Sequence, residues 1–478
     1  MAEIREENKM GTMPVGKLLV SMAVPMILSM IVQALYNIVD SIFVSRLSQD
    51  ALSAVSLAFS LQNLMIAVGA GTGVGINAFL SKSLGEKDFK TANKVANHAI
   101  YFWAISYAIF LTIGLTLTSV YFKAQTNDPA ILQYGVDYMR PVLCYSFGLF
   151  GQMFTERLLT STGRTIYSMI IQMTGAIINI ILDPIMIFGL LGCPAMGVRG
   201  AAIATCIGQC CACVLGIVLN FTKNVDIELS AKYLKPEPYI FRRVYQVGIP
   251  SIIMGSIGSV MTFALNKILI SFTKVAVAVF GSYFKLQSFI FMPVFGLNNG
   301  IIPILAYNLG ARNRERLLKT IKLGLIFALT TMTIGLILFE TIPGTLLGLF
   351  KSSNPAENAA LIELGVPALR IIAVHFPVAA ICIVIGSTFQ AFGKATFSMV
   401  VSIMRQLAVL VPAAYLLSLT GVLTNVWFAF PIAEVMSLAV SLFFFKTRIL
   451  KMMDFDKAPV AAVPSFSDDA PTADKPAD

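Results

Sequence analysis

Two short stretches of this chain set oxygen-bearing side chains into otherwise apolar sequence. QALYNIVDSIFV, residues 33–44, carries Gln33, Asn37 and Asp40 at i, i+4 and i+7, a spacing that puts all three on one stripe of a helix. INIILDPIMIFG, residues 178–189, puts Asn179 and Asp183 four apart on one helical face. Pro184 follows, and its missing N–H leaves the carbonyl of Ile180 without a helical partner. Such a set offers side-chain oxygens and a backbone oxygen in one place. Hard cations such as sodium favour oxygen ligands, and a desolvated carboxylate near another takes up a proton more readily, so the pattern fits either ion. The structural alternatives are a headgroup-level carboxylate at Asp40, only about 6 Å from the outer helix end at 1.5 Å per residue, and a capped Asp at a proline kink for Asp183.

What must position these residues follows from composition. Hydrophobic residues make up 57% of the 478 and charged residues 13%, too little polar surface to wrap the chain in water. The apolar runs come in blocks of about 20 or more residues without period-two alternation, the signature of membrane-spanning helices and not of a barrel. Twelve are expected, at roughly 17–45, 51–81, 95–121, 136–160, 165–191, 197–221, 244–271, 275–306, 321–342, 364–390, 397–420 and 422–446. The first sixteen residues are polar, with no short apolar core and no small-residue cleavage site, so no secretory signal peptide is expected. The last stretch, rich in Pro, Ala and Asp, reads as a disordered tail.

The net charge of +10 is placed asymmetrically. Lys and Arg gather in the first tail, in KSLGEKDFKTANK, between Lys223 and Arg243, in ARNRERLLKTIK and at Lys446, Arg448 and Lys451. The opposite loops offer little beyond Arg46, Lys123, Arg199, Lys274 and Lys351. The positive-inside rule then puts both termini in the cytoplasm of a cell-membrane protein and removes the need for a nucleic-acid partner.

The sequence is duplicated. A shift of 225 residues lays Pro25 on Pro250, Gln62 on Gln287, Gly71 on Gly296, Gly75 on Gly300 and Leu84-Gly85 on Leu309-Gly310. A shift of 230 then lays Arg140 on Arg370 and Gly163 on Gly393. Two parallel repeats of six helices predict an all-α membrane protein of two bundles related by a pseudo-twofold along the membrane normal. The expected organisation is a tail (1–16), an N-lobe (17–221), a linker (222–243), a C-lobe (244–446) and a second tail (447–478). A cleft between such bundles, exposed alternately to each side, is the arrangement of a secondary transporter. An ATP-driven pump would need GxxxxGK[ST], which is absent. GAGTGVG, residues 69–75, follows no strand and reads as close helix packing or local flexibility.

Early Pro25 with Asp40, the Asn179–Asp183 segment ahead of Pro184, SLGEKDFKTA and MGVRGAAIAT (196–205) together resemble the MATE family, the multidrug and toxic compound extrusion transporters. The likeness covers nearly all of residues 15–446, and Arg405 with Pro412 looks like the bacterial branch. It implies export of organic, mostly cationic compounds in exchange for Na+ or H+, and a cation site at Asp40, Asn179, Asp183 and Thr205. The acidic pair that some relatives carry in the second lobe is missing, since Leu265 and Met399 stand there, so coupling is expected in the first lobe. No cofactor is implied, and the protein is expected to work as a monomer in the lipid bilayer on small-molecule substrates.

Candidate cavity residues are Gln33, Tyr36, Asn37, Glu156, Lys285 and Gln287. Glu156 reads as interfacial, or else as a cation attractor at the inner mouth. Lys285 in a cleft would repel cationic drugs and would favour neutral or anionic substrates. Glu434 is expected to pair with Arg405, although it could touch substrate. Lys285 with Arg405 could instead hold a pyrophosphate, the basis of a second reading as a flippase for lipid-linked sugars. His98, His375 and the cluster CIGQCCACV (206–214) read as structural, and no nucleophile or metal constellation suggests an intramembrane enzyme.

Overall fold

Helices in lipid must satisfy their own backbone groups, so the elements stop only where a cap, glycine or proline lets them. The computed structural model describes residues 7–350 and 355–455. Lys351 and the chain from Asp456 onward lie outside the described residues, so the expected disordered tail is outside them for most of its length. The described residues are helical and contain no strand. In order they form α1 (Lys9–Thr12), α2 (Val15–Ser45), α3 (Gln49–Gly85), α4 (Phe89–Thr116), α5 (Thr118–Gln125), α6 (Pro129–Cys144), α7 (Phe147–Ser161), α8 (Thr165–Phe188) and α9 (Val198–Lys223). The second half forms α10 (Pro238–Ile270), α11 (Lys274–Gly310), α12 (Arg314–Thr341), α13 (Pro343–Gly348), α14 (Pro355–Ala373), α15 (Phe376–Ala391), α16 (Ala395–Ile403), α17 (Val411–Ser418), α18 (Leu423–Val426), α19 (Ala429–Phe444) and α20 (Leu450–Met452).

Ten helical stretches are long and apolar enough to cross a membrane, and α14 with α15, bent by 47°, makes an eleventh. The matching place in the first repeat is taken by α6 and α7, which break at Tyr145 and Ser146 where the second repeat breaks at Val374 and His375. Both crossings were expected as single helices. Pro377, whose missing N–H leaves the Ala373 carbonyl without a helical partner, sits at the second break, while Pro141 lies inside α6, four residues before the first. The last helix also runs beyond residue 446, through a π-helical stretch, Phe445–Ile449, into α20.

The duplication extends to the punctuation of the chain. Ser48 caps α3 by accepting from the Ala51 N–H, and Thr273, 225 residues later, caps α11 by accepting from Val275. Asp88 and Asn313 cap α4 and α12 at the same offset. Lys87 and Arg312, each just before its cap, both adopt left-handed backbone, with φ of 59° and 52°.

Glycines bring the two lobes together. A Cβ on Gly71 would lie 2.6 Å from the Ile252 nitrogen, and one on Gly296 would lie 2.8 Å from the Ile27 nitrogen; the 225-residue shift carries the first contact onto the second. Likewise a Cβ on Gly85 would lie 1.9 Å from the Tyr307 carbonyl oxygen, and one on Gly310 2.2 Å from that of Lys82. Within GAGTGVG, Gly71 and Gly75 receive α10 while Gly69 and Gly73 receive Met153 and Arg157 of α7. The run is therefore two interleaved small-xxx-small faces, the packing form of the two readings. All of these lobe-to-lobe approaches fall in the halves of α2, α3, α10 and α11 nearer the tails, so the molecule is pinched at that end.

The tail-side segments are fastened down. Asn8 donates to the Thr162 carbonyl (3.0 Å) in the N-lobe and to Asp226 (2.8 Å) in the linker, while Arg316 of α12 donates to the carbonyls of Met10 (2.9 Å) and Met13 (2.7 Å). Burial and the nearby Arg164 push the Lys9 ammonium pKa below its ordinary value. The inter-lobe linker lies on α4: Glu228 N–H donates to Asn93 (2.8 Å), Ser230 N–H to Asn97 (2.9 Å) and Glu237 N–H to His98 Nε2 (3.0 Å). His98 thereby has the structural role expected of it. The outside of the bundle is apolar, with Leu28, Leu35 and Ile42 exposed at seven-residue intervals along α2 as a lipid-facing stripe.

Candidate functional site

A cavity of about 630 Å³ lies between the lobes, within the range that holds a drug-sized molecule. Its N-lobe wall includes Gln33 and Tyr36 of α2, Gln152 and Glu156 of α7, Asn179 of α8 and Thr205 of α9. Its C-lobe wall includes Asn298, Gln390, Arg405 and Gln406. Arg405 and Gln406 sit on a π-helical stretch, Met404–Leu410, between α16 and α17. A wider turn of this kind re-aims side chains inside a helix and recurs at functional sites.

Asp40 and Asp183 are not in the cavity wall. They lie behind Tyr36, Asn179 and Thr205, at 6% and 0% exposure. Asn179 Nδ2 donates to Asp183 Oδ1 (3.2 Å) and to Thr205 Oγ1 (3.1 Å), which ties α8 to itself and to α9. Asp40 on α2 interacts electrostatically with Asp183 on α8, and the Tyr36 hydroxyl lies against Thr205. Three oxygens here have no hydrogen-bond donor: Asp40 Oδ1, Asn179 Oδ1 and Asp183 Oδ2. Neither carboxylate has a basic partner among the described residues. A buried carboxylate without a compensating charge is costly, so two that act on each other electrostatically call for a cation or a proton. The four residues expected to form the cation site are thus brought together on α2, α8 and α9.

Other expectations divide. Gln33 lines the cavity and accepts from Gln172 Nε2 (3.1 Å), and Tyr36 lines it as well. Asn37 is exposed and lies outside the cavity wall. It is about 60° around the helix from Asp40, enough to turn it off the buried stripe. Lys285 and Gln287 are also outside. Lys285 is exposed, with its ammonium 5.7 Å from the centre of the Phe350 ring, and it lies about 20 Å along α11 from the cavity residue Asn298. The idea that Lys285 repels cationic cargo therefore loses its premise. Glu156, read from sequence as interfacial, belongs to the cavity wall and accepts from Gln152 Nε2 (2.9 Å).

Arg405 and Glu434 pair at 3.2 Å, with Glu434 buried behind the wall. Removing one partner strands a charge in a low-dielectric interior. Glu434→Ala is expected to lower stability by about 3–5 kcal/mol, and the double replacement by Met at Arg405 and Glu434 by far less; thermal unfolding in detergent measures both. His375 packs edge-on against Phe376 and beside Phe430 at the bend. Cys210 and Cys213 meet Gly148 and Gly151 of α7, which is the packing role expected of that cluster. Tyr138 went unnoticed in the sequence: its buried hydroxyl accepts from Gln62 (3.1 Å) and interacts with both acids. Gln152 and Gln172 were missed too, although lone amides inside apolar helices are the signal that singled out Gln33.

The MatE family model matches residues 25–185 and 250–416, most of both repeats. The chain belongs to the MatE family. It is 26% identical over 434 residues, 89% of this chain and 92% of the relative, to the multidrug export protein MepA of Staphylococcus haemolyticus (strain JCSC1435). It is 25% identical over 423 residues, 88% and 91% of the two chains, to the MepA of Staphylococcus aureus (strain N315). Among solved structures, an outward-facing conformation of a multidrug resistance MATE family transporter of the MOP superfamily matches with a TM-score of 0.87 at 25% identity, over 94% of this chain and 98% of that one. Family membership makes this a multi-pass membrane transporter with small-molecule substrates in a lipid environment, built on the twelve-helix MatE fold.

Proposed function

We propose that this MatE protein is a secondary active multidrug antiporter of the cell membrane, working as a monomer with both termini in the cytoplasm. It exports organic, mostly cationic compounds in exchange for Na+ or H+. The observation that carries the reading is the pair of buried carboxylates, Asp40 and Asp183, without a basic partner among the described residues and with donor-free oxygens around them. Substrate enters the cleft between the lobes from the cytoplasm. A cation from outside then binds at Asp40, Asn179, Asp183 and Thr205 and favours the state pinched at the tail end, which releases substrate outward. An ion shifts this equilibrium only by its differential affinity for the two states, so ion and substrate must prefer opposite states or compete. The names of the MepA relatives support a multidrug cargo.

Transport in proteoliposomes with sodium and pH gradients imposed separately tests the reading. One of the two gradients is expected to drive uphill movement of an organic cation; movement indifferent to both would refute it. The flippase reading needs a basic cavity. The pair it was built on is not there, since Lys285 lies outside the cavity and Arg405 is paired with Glu434, which leaves Arg157 as the other basic side chain of the wall.

A further inference from the structure

Glu156 is the one acidic side chain in the cavity wall among the described residues. The acids of the cation site lie behind that wall, and Glu434 is committed to Arg405 at 3.2 Å. Arg157, next to Glu156 in sequence, donates to Asn299 across the cleft (3.0 Å) and forms no ion pair with Glu156. The carboxylate therefore has no ion-pair partner among the described residues and is reachable from the cavity, with the charge of Arg157, also in the wall, acting on it from beyond ion-pair distance. It is also held in place. Gln152 Nε2 donates to Glu156 Oε1 (2.9 Å) and to Gln172 Oε1 (3.0 Å), and Gln172 Nε2 donates to Gln33 Oε1 (3.1 Å). This amide chain fixes the carboxylate against α8 and α2, the helices that carry Asp183 and Asp40.

The surroundings specify what such a carboxylate would take. Met26, Met30, Met153, Met254 and Phe295 share the cavity with it. Thioethers and aromatic rings accommodate irregular apolar shapes and attract cations. We propose that Glu156 is the anchor for the charged centre of a lipophilic monovalent organic cation, whose apolar groups rest on these Met and Phe side chains. The amide chain makes Gln152, Gln172 and Gln33 positioning residues for that anchor. It also gives the substrate a contact with α2 and α8 separate from the ion's own ligands. The proposal rests on the antiporter reading for its cargo but assigns the cargo to a different acid from the coupling ion.

Equilibrium binding to the purified full-length protein tests it, with tetraphenylphosphonium and uncharged triphenylphosphine oxide as probes and no gradient present. Glu156→Gln is expected to weaken phosphonium binding by about tenfold or more while leaving the oxide unchanged. Gln152→Lys, which sets an ammonium beside the carboxylate, is expected to do the same, so whichever variant folds decides the matter. Unchanged phosphonium affinity in a folded variant overturns the proposal, as does an equal loss for both probes. If Asp183→Asn keeps gradient-driven transport, the antiporter reading fails while the assignment of Glu156 stands.

Discussion

Asp183→Asn is expected to abolish gradient-driven efflux without unfolding the protein. The substituted side chain keeps an oxygen that accepts from Asn179, so the tie within α8 survives. It can neither carry the negative charge that faces a cation nor release a proton. Losing one of two buried carboxylates around a desolvated ion should cost about 3 kcal/mol or more of ion affinity, roughly a hundredfold. The ion's ability to favour one state falls with it, because a ligand shifts a conformational equilibrium only by its differential binding. Accumulation of an organic cation in everted vesicles measures the effect. Undiminished transport would remove Asp183 from coupling, and Asp40→Asn should behave in the same way.

Gly85→Leu should be as damaging for a different reason. A Cβ at this position lies 1.9 Å from the Tyr307 carbonyl oxygen, and the obstacle is backbone, which cannot rotate away. α3 and α11 would have to separate by more than an ångström, and the seal at the tail end would be lost. The pseudo-twofold makes Gly310, 2.2 Å from the Lys82 carbonyl oxygen, the equivalent position. Transport is expected to fall by at least about tenfold, the equivalent of a 1.4 kcal/mol bias against the pinched state. Cys382, a buried native residue in the cavity wall, reports the opening. Maleimide labelling at Cys382 from the tail side, read by mass spectrometry, should be faster in Gly85→Leu than in the unaltered protein. An unchanged labelling rate would show that the seal does not depend on this approach.

Much of this architecture was legible in the sequence because lipid leaves a chain few choices. Apolar runs of spanning length must be helices, and the Leu-Gly pairs at 84–85 and 309–310 marked the repeat. Their glycines turn out to be among the points where one lobe's backbone approaches the other's. Asp40, Asn179 and Asp183 each stood out for the same reason, since each is an expensive residue to bury, but their grouping came from the family resemblance. Other features were hidden. A break such as Tyr145-Ser146 leaves the hydropathy of a span unchanged, so only packing reveals it. Asn37 shares its nominal stripe with Asp40, and only the neighbouring helices decide which of the two is covered. Tyr138 contributes a single hydroxyl at the edge of a ring that composition counts as apolar. The depth of Glu156 and Lys285 depended on where their helices meet the cleft, which a spacing argument does not contain.

The central claim is that Asp40 and Asp183 together hold one small cation that substrate displaces. Sodium binding and proton uptake by the purified protein, compared with the Asp40→Asn/Asp183→Asn double variant, test this most directly. The account predicts about one sodium ion or one proton bound per unaltered chain, released on adding an organic cation and absent from the folded double variant. Equal sodium and proton binding by the two proteins would contradict it.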